Sequence, residues 1–146
     1  MTDEEKRKLL LQDLCPRLPY GVKVEKESKI DELSTFDLEI LRLGNWCDKE
    51  VPDCDNDKVL AMKKYHCKPY LRSLSSMTEK EDEERKRLGI LLAEDKNGKT
   101  IFDGFSNISA EDTISGFDWL NQHHFDYRNL VSLGLALEAP KDMYEL

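Results

Sequence analysis

The stretch at residues 117–140, FDWLNQHHFDYRNLVSLGLALEAP, constrains the fold more than any other. It holds one of the two tryptophans, two of the three histidines and the longest run that is both apolar and free of lysine. Such a run gains roughly 25 cal/mol for each Å² of apolar surface taken out of water. It reads as the piece that closes the fold.

Its spacing predicts two helices with a break between them. Ser109 followed by Asp112 resembles a capping box, in which hydroxyl and carboxylate take up free N–H groups. Ile114, Phe117, Leu120 and His124 then fall on one helical face. Gly116 weakens that helix by about 1 kcal/mol relative to alanine. Asp126 is placed to cap a short second helix over 127–133, and Gly134 to end it. Leu135, Leu137 and Ala139 alternate, which predicts a short strand or extended tail stopped by Pro140. Adjacent side chains on a helix diverge by about 100°, so His123 and His124 do not chelate one ion together. The expectation is His124 inward and His123 at the surface.

At the other end, Thr2 and Glu5 make a capping box for a helix over 2–14 with the apolar stripe Leu10, Leu11, Leu14. Pro16 and Pro19 end it. Residues 18–72 read as a β unit. Val22 and Val24 alternate with charged residues, and Phe36, Leu38 and Ile40 alternate with Thr35, Asp37 and Glu39. Trp46 and Val51 suggest a third strand, and residues 59–66 a fourth. Thr78 with Glu81 caps a helix that opens with the charge run EKEDEERKR, a solvated face. Leu88, Leu91 and Leu92 would dock it. The Asn-Gly turn at 97–98 offers a hairpin instead, so residues 88–102 remain open between helix and hairpin. The expected fold is one α+β domain. A small bent antiparallel sheet or SH3-like barrel (18–72) would lie between an N-terminal helix (1–17) and a C-terminal helical part (73–146).

The chain has 146 residues and net charge −8, unevenly spread. Residues 1–87 carry 20 acids and 18 bases, whereas residues 88–146 carry 10 acids and 4 bases. An acidic chain argues against general nucleic-acid binding, which runs on phosphate neutralisation. It suits docking on a basic surface of a partner protein. No apolar run approaches the roughly 18 residues of a membrane span. The opening MTDEEKRK has no apolar signal core behind it, so a cytoplasmic protein with no membrane partner is expected. Four cysteines (Cys15, Cys47, Cys54, Cys67) then point to reduced thiols.

Catalytic and metal motifs are weak. Cys47, Cys54, His66 and Cys67 lack the close C-x2-C pair of structural zinc sites. Asp53, Asp55 and Asp57 start like a calcium loop, but Lys58 and Lys64 stand where glycine and glutamate are needed. There is no phosphate loop, no G-x-S-x-G and no H-E-x-x-H. No catalytic, cofactor or metal residue is assigned. A thiol or metal enzyme around His66, Cys67, His123 and His124 is the weakest reading. The one basic region places Lys58, Lys63, Lys64, Lys68 and Arg72 around Tyr65 and Tyr70, with no acid between 58 and 72. Bases with aromatics on a sheet hold nucleic acid by phosphate pairing and stacking, so these seven residues are the candidate binding surface.

Three motifs carry a resemblance: LPYGV at 18–22, KPYLR at 68–72 followed by SSMTE at 75–79, and the closing DWLN, HHFDYR and GLALEAP within 118–140. The chain resembles a family of small uncharacterised proteins of gut bacteria and of their phages and mobile elements. The family pattern carries proline where this chain has Ser73. The resemblance implies no activity. It implies a mobile-element setting, in which a small acidic protein acts on a host protein or on nucleic-acid processing. The expected function is a non-enzymatic protein-interaction module without cofactor, with nucleic-acid binding through residues 58–72 as the alternative.

Overall fold

Thr2 starts the first helix. Its side-chain oxygen accepts the Glu5 N–H at 3.1 Å and caps α1 (Asp3–Leu14). Asp3, Glu4 and Glu5 fill the first turn, where the helix dipole favours negative charge. Leu10 and Leu14 are fully buried and Leu11 half-buried, so a narrow stripe holds the helix down. Pro16 and Pro19 carry the chain through a 3-10 segment, Cys15–Tyr20, which Gly21 closes at φ 68°. The computed structural model describes residues 1–26, 29–44, 67–106 and 110–144.

β1 (Lys23–Lys26) and β2 (Lys29–Glu32) pair antiparallel. The next segment, expected as a strand, is a helix, α2 (Thr35–Arg42). Ser34 and Asp37 cap it reciprocally: the Asp37 N–H reaches Ser34 Oγ at 3.3 Å and the Ser34 N–H reaches Asp37 Oδ2 at 2.9 Å. Helical spacing buries Asp37 and Leu41 on one side and leaves Phe36 69% exposed. Lys26 Nζ, 2.7 Å from Asp37 Oδ2, neutralises the buried carboxylate. Three alternating apolar residues fit period 2 only while nothing caps the backbone for a helix; here the cap decided.

β3 (Cys67–Leu71) pairs antiparallel with β1 and turns Cys67, Pro69 and Leu71 into the core. A 3-10 turn, Leu74–Ser76, leads to α3 (Glu79–Arg87), which Thr78 and Glu81 cap as expected. The helix ends before Gly89 (φ 76°), and residues 88–102 resolve as a hairpin of β4 (Ile90–Glu94) and β5 (Thr100–Phe105). Asp95 holds the tip, its Oδ1 accepting the N–H groups of Asn97 and Lys99. α4 (Ala110–Gln122) follows, then β6 (Leu137–Glu138), which runs parallel to β3.

The four-stranded sheet has the order β2-β1-β3-β6, and β4–β5 form a separate sheet. The α+β class and the small sheet are as expected. Neither sheet closes into a barrel among the described residues, and β6 makes the larger one mixed rather than antiparallel. Region 73–146, read as helical, also supplies three strands. The strands expected near Trp46 and Val51 and over 59–66, and the cap at Ser109, lie outside the described residues.

Two apolar clusters hold these elements. The first joins Leu10 and Leu14 of α1, Val22 just before β1 and Val24 within it, Leu41 of α2, Cys67 and Leu71 of β3, and Leu130 and Leu135. Both ends of the chain thus share one core. The second joins Leu74, Ile90, Trp119, Leu120, Phe125 and Tyr127, with Phe102, Phe105 and Phe117 packed on it. Leu120 and Phe125 are fully buried, and burial of side chains this size is worth roughly 1.5–3 kcal/mol each.

Candidate functional site

Two arginines hold the closing stretch by its backbone. Arg72, just after β3, gives Nη1 and Nη2 to the two oxygens of Glu81, both at 2.8 Å. Nη1 also donates to the His123 carbonyl at 3.2 Å. The Arg72 N–H donates to the His124 carbonyl at 2.8 Å, and its own carbonyl accepts the Asp126 N–H at 2.8 Å. Its guanidinium lies 4.4 Å from the centre of the Phe125 ring. Arg17, fully buried, pairs with Asp13 through Nε (2.9 Å) and Nη2 (3.2 Å), and Nη2 takes the Phe125 carbonyl at 2.7 Å. Three successive carbonyls, 123 to 125, are therefore held by two arginines, the outer two by guanidinium groups and the middle one by the Arg72 backbone N–H. Arg128 Nε adds a second cation 3.3 Å from Asp13. Burial pushes the Asp13 carboxyl up against the pull of Arg17 and Arg128.

These contacts explain why α4 stops at Gln122. His124 takes φ 63°, which turns its carbonyl towards Arg72 instead of continuing the helix. The helix expected over 127–133 is a set of turns. Asp126 does cap, but with Oδ1 on the Leu130 N–H (2.8 Å) and Oδ2 on the Val131 N–H (3.0 Å), and Asn129 at φ 62° reverses the chain. The backbone N–H groups of Leu130 and Val131 thus donate to the Asp126 side chain instead of to backbone carbonyls, so no helical ladder starts there.

His124 lies inward as expected, whereas His123, expected at the surface, is half-buried. His124 is buried, stacked at 3.7 Å on Tyr144, and burial followed by the charges of Arg17 and Arg72 lowers its pKa to about 4. It is neutral at neutral pH. His123 is half-buried against Trp119, with Nδ1 2.9 Å from Glu81 Oε2. Burial alone would raise the Glu81 carboxyl, but the hydrogen bonds from Arg72 and the Thr78 N–H hold it at about 2. An ionised carboxylate only accepts, so His123 Nδ1 carries the proton and Nε2 is left as an acceptor in the neutral ring.

Of the sequence-derived candidate surface, Lys58, Lys63, Lys64 and Tyr65 lie outside the described residues. Lys68 is half-buried on β3. The Tyr70 hydroxyl donates to Glu25 Oε2 at 3.1 Å. Arg72 faces Glu81, not solvent. Cys67 is fully buried, and burial, then the Asp37 charge, pushes its thiol up to about 12, far from a nucleophilic thiolate. His66, Cys47 and Cys54 lie outside the described residues. Among the described residues no three of His, Cys, Asp and Glu cluster as metal ligands, and no helix is long and apolar enough to cross a membrane.

The surface that stands out was not in the sequence reading. The turn following Arg72 is ringed by clefts. One, of about 520 Å³, lies between α3 and the C-terminal segment and includes His123, Glu84 and Lys141. A second, of about 380 Å³, has a floor of Leu74, Phe102, Tyr127 and Val131 with Lys99 at its rim. Ser73 and Glu138 line both, so the clefts adjoin at β6. Among the described residues β6 is the last strand of its sheet. The Ala139 N–H donates to the Leu71 carbonyl at 2.8 Å within the Leu71–Glu138 pairing. In a parallel ladder of that register the N–H and C=O of Glu138 point to the outer edge. The only local signals for this surface were the alternation Leu135, Leu137, Ala139 and the short segment between two capping residues. Compared with known proteins, the chain matches no family model, no curated protein and no solved structure.

Proposed function

We propose that the protein is a non-enzymatic interaction module that captures an extended segment of a partner protein along the outer edge of β6. One observation carries the reading. The outward N–H and C=O of Glu138 sit where two clefts meet, so a strand laid on this edge has a cleft on either side for its side chains. Strand addition works in this way: main-chain hydrogen bonds supply affinity and flanking pockets supply selectivity. The edge is also rigid. Tyr144 ties the segment after β6 to the sheet, its hydroxyl donating to the Tyr70 carbonyl (2.7 Å) and accepting the Lys23 N–H (2.8 Å). A preformed edge lowers the ordering cost of binding. In the mobile-element setting implied by the resemblance, the partner is a cytoplasmic host protein.

The test is the variant Glu138→Pro. Proline deletes the outward N–H and leaves the Ala139 N–H on β3, and an edge strand tolerates proline in that orientation. Lysate pull-downs with nuclease present should recover a partner with the wild-type protein and lose it with the variant. Equal recovery by both sinks the β6 reading. Recovery that vanishes with nuclease moves the function to nucleic acid and to the basic stretch 58–72.

A further inference from the structure

The two clefts differ in chemistry, and the smaller one specifies a ligand. Its floor is made of Leu74, Phe102 and Tyr127, which belong to the second core cluster or pack on it, and of Val131, which packs on the first. At the rim, Lys99 Nζ is hydrogen-bonded by Asn129 Oδ1 and Ser132 Oγ, both neutral oxygens. No carboxylate among the described residues pairs with it. Two of the other charges lining this cleft are paired inside the fold. Asp126 is buried with both oxygens accepting backbone N–H groups, and Arg128 faces Asp13. Glu138 lies at the junction with the other cleft, which Lys99 does not line. Among the described residues the groove therefore runs from a lysine with no carboxylate partner, across an apolar floor, to the strand edge at Glu138.

Resting on the strand-capture reading, we infer that the captured segment is an acidic–apolar peptide: a large apolar side chain fills the smaller cleft, and an aspartate or glutamate beside it pairs with Lys99. The apolar side chain leaves water for a floor of two aromatic and two aliphatic residues. The acid supplies the countercharge that Lys99 lacks, as a charge-assisted hydrogen bond. The partner's main chain continues past Glu138 into the larger cleft.

Selection from a display library of short random peptides tests this, run in parallel on the wild type, Lys99→Glu and Glu138→Pro. Lys99 is exposed, so its replacement leaves the core untouched. Wild-type protein should enrich peptides with an acid next to a large apolar residue. Lys99→Glu should weaken those peptides about tenfold, the scale of converting one exposed attraction into repulsion, and should enrich a base at the same position. Enriched peptides without the acid, or peptides indifferent to Lys99→Glu, overturn the inference; if Glu138→Pro still abolishes their binding, capture at β6 survives. Peptides that bind all three proteins alike, or no enrichment at all, overturn both.

Discussion

Gly116 lies under the ring of Phe105 so closely that a β-carbon on it would come 2.2 Å from Phe105 Cε1. An interior helical glycine, unfavourable by local propensity, is here the contact that lets α4 dock on the β4–β5 hairpin. Gly116→Ala should therefore destabilise the protein by about 1–3 kcal/mol, the scale of overpacking, although alanine is the better helix former. Chemical denaturation would measure it. Phe105→Leu in the Gly116→Ala background should recover part of the loss, whereas two independent, additive losses would remove the steric explanation.

Acid should weaken the fold in two successive windows. His124 has a folded pKa of about 4 against 6.5 for an unhindered histidine, so the unfolded chain binds the extra proton between those values. Stability present above pH 6.5 is lost as pH falls towards 4, by up to about 3 kcal/mol. Glu81, at about 2 against 4.5, adds a loss of the same sign from pH 4.5 downwards. His124→Asn, which retains a residue type tolerant of positive φ, should flatten the stability curve between pH 6.5 and 4.5 and leave the lower limb. A curve for that variant parallel to the wild type would assign the upper window to another group.

Arg17 should be the costliest single side chain to remove. Truncation to methionine leaves the Asp13 carboxylate buried with only Arg128 near it, and the Phe125 carbonyl without its donor. Breaking a buried pair from one side costs about 3–5 kcal/mol. Replacing Asp13 and Arg17 together by apolar residues should cost less than Arg17→Met alone. A thermal melt in which the double variant is the less stable of the two would contradict this account.

Thiol reactivity should separate Cys15 from Cys67. Cys15 is exposed, while Cys67 is fully buried with its thiol pushed up to about 12. Brief alkylation of the native protein followed by peptide mass spectrometry should modify Cys15 and spare Cys67, with Cys67 labelled only in denaturant. Prompt native labelling of Cys67 would show that β3 opens on the timescale of the reaction.

The sequence leaves residues 88–102 open between helix and hairpin and puts a helix end at Gly134, where the structure has turns; the capping box of Thr78 and Glu81 and the bond from Glu5 to Thr2 were legible in it. Each depends on residues within four positions of one another, and such signals act before tertiary packing exists. The inward position of His124 was legible, but not that of His123, which is half-buried against Trp119 because α4 ends at Gln122 and His124 leaves helical geometry at φ 63°. α2 was misread because Phe36, Leu38 and Ile40 alternate, and a short apolar pattern fits either period until a cap selects one.

What tertiary structure alone decided is where the arginines and the strand edge ended up. Arg17 meets the carbonyl of Phe125, 108 residues away, and Arg72 meets that of His123, 51 residues away. No local pattern distinguishes such an arginine from a surface cation, because its partners are assembled by the packing of α1, β3 and α4. The exposed edge of β6 has the same origin. Leu137 and Glu138 form a strand only because Leu71 offers a ladder to pair with, and their outer groups face two clefts only because the Arg72 and Arg17 clamps hold the closing stretch beside them. The sequence by itself determined the local turns, caps and apolar faces, which short-range sterics and hydrogen bonding enforce. Which polar groups were buried in pairs, and which were left facing solvent, followed from the long-range burial that brought the chain's two ends into one core.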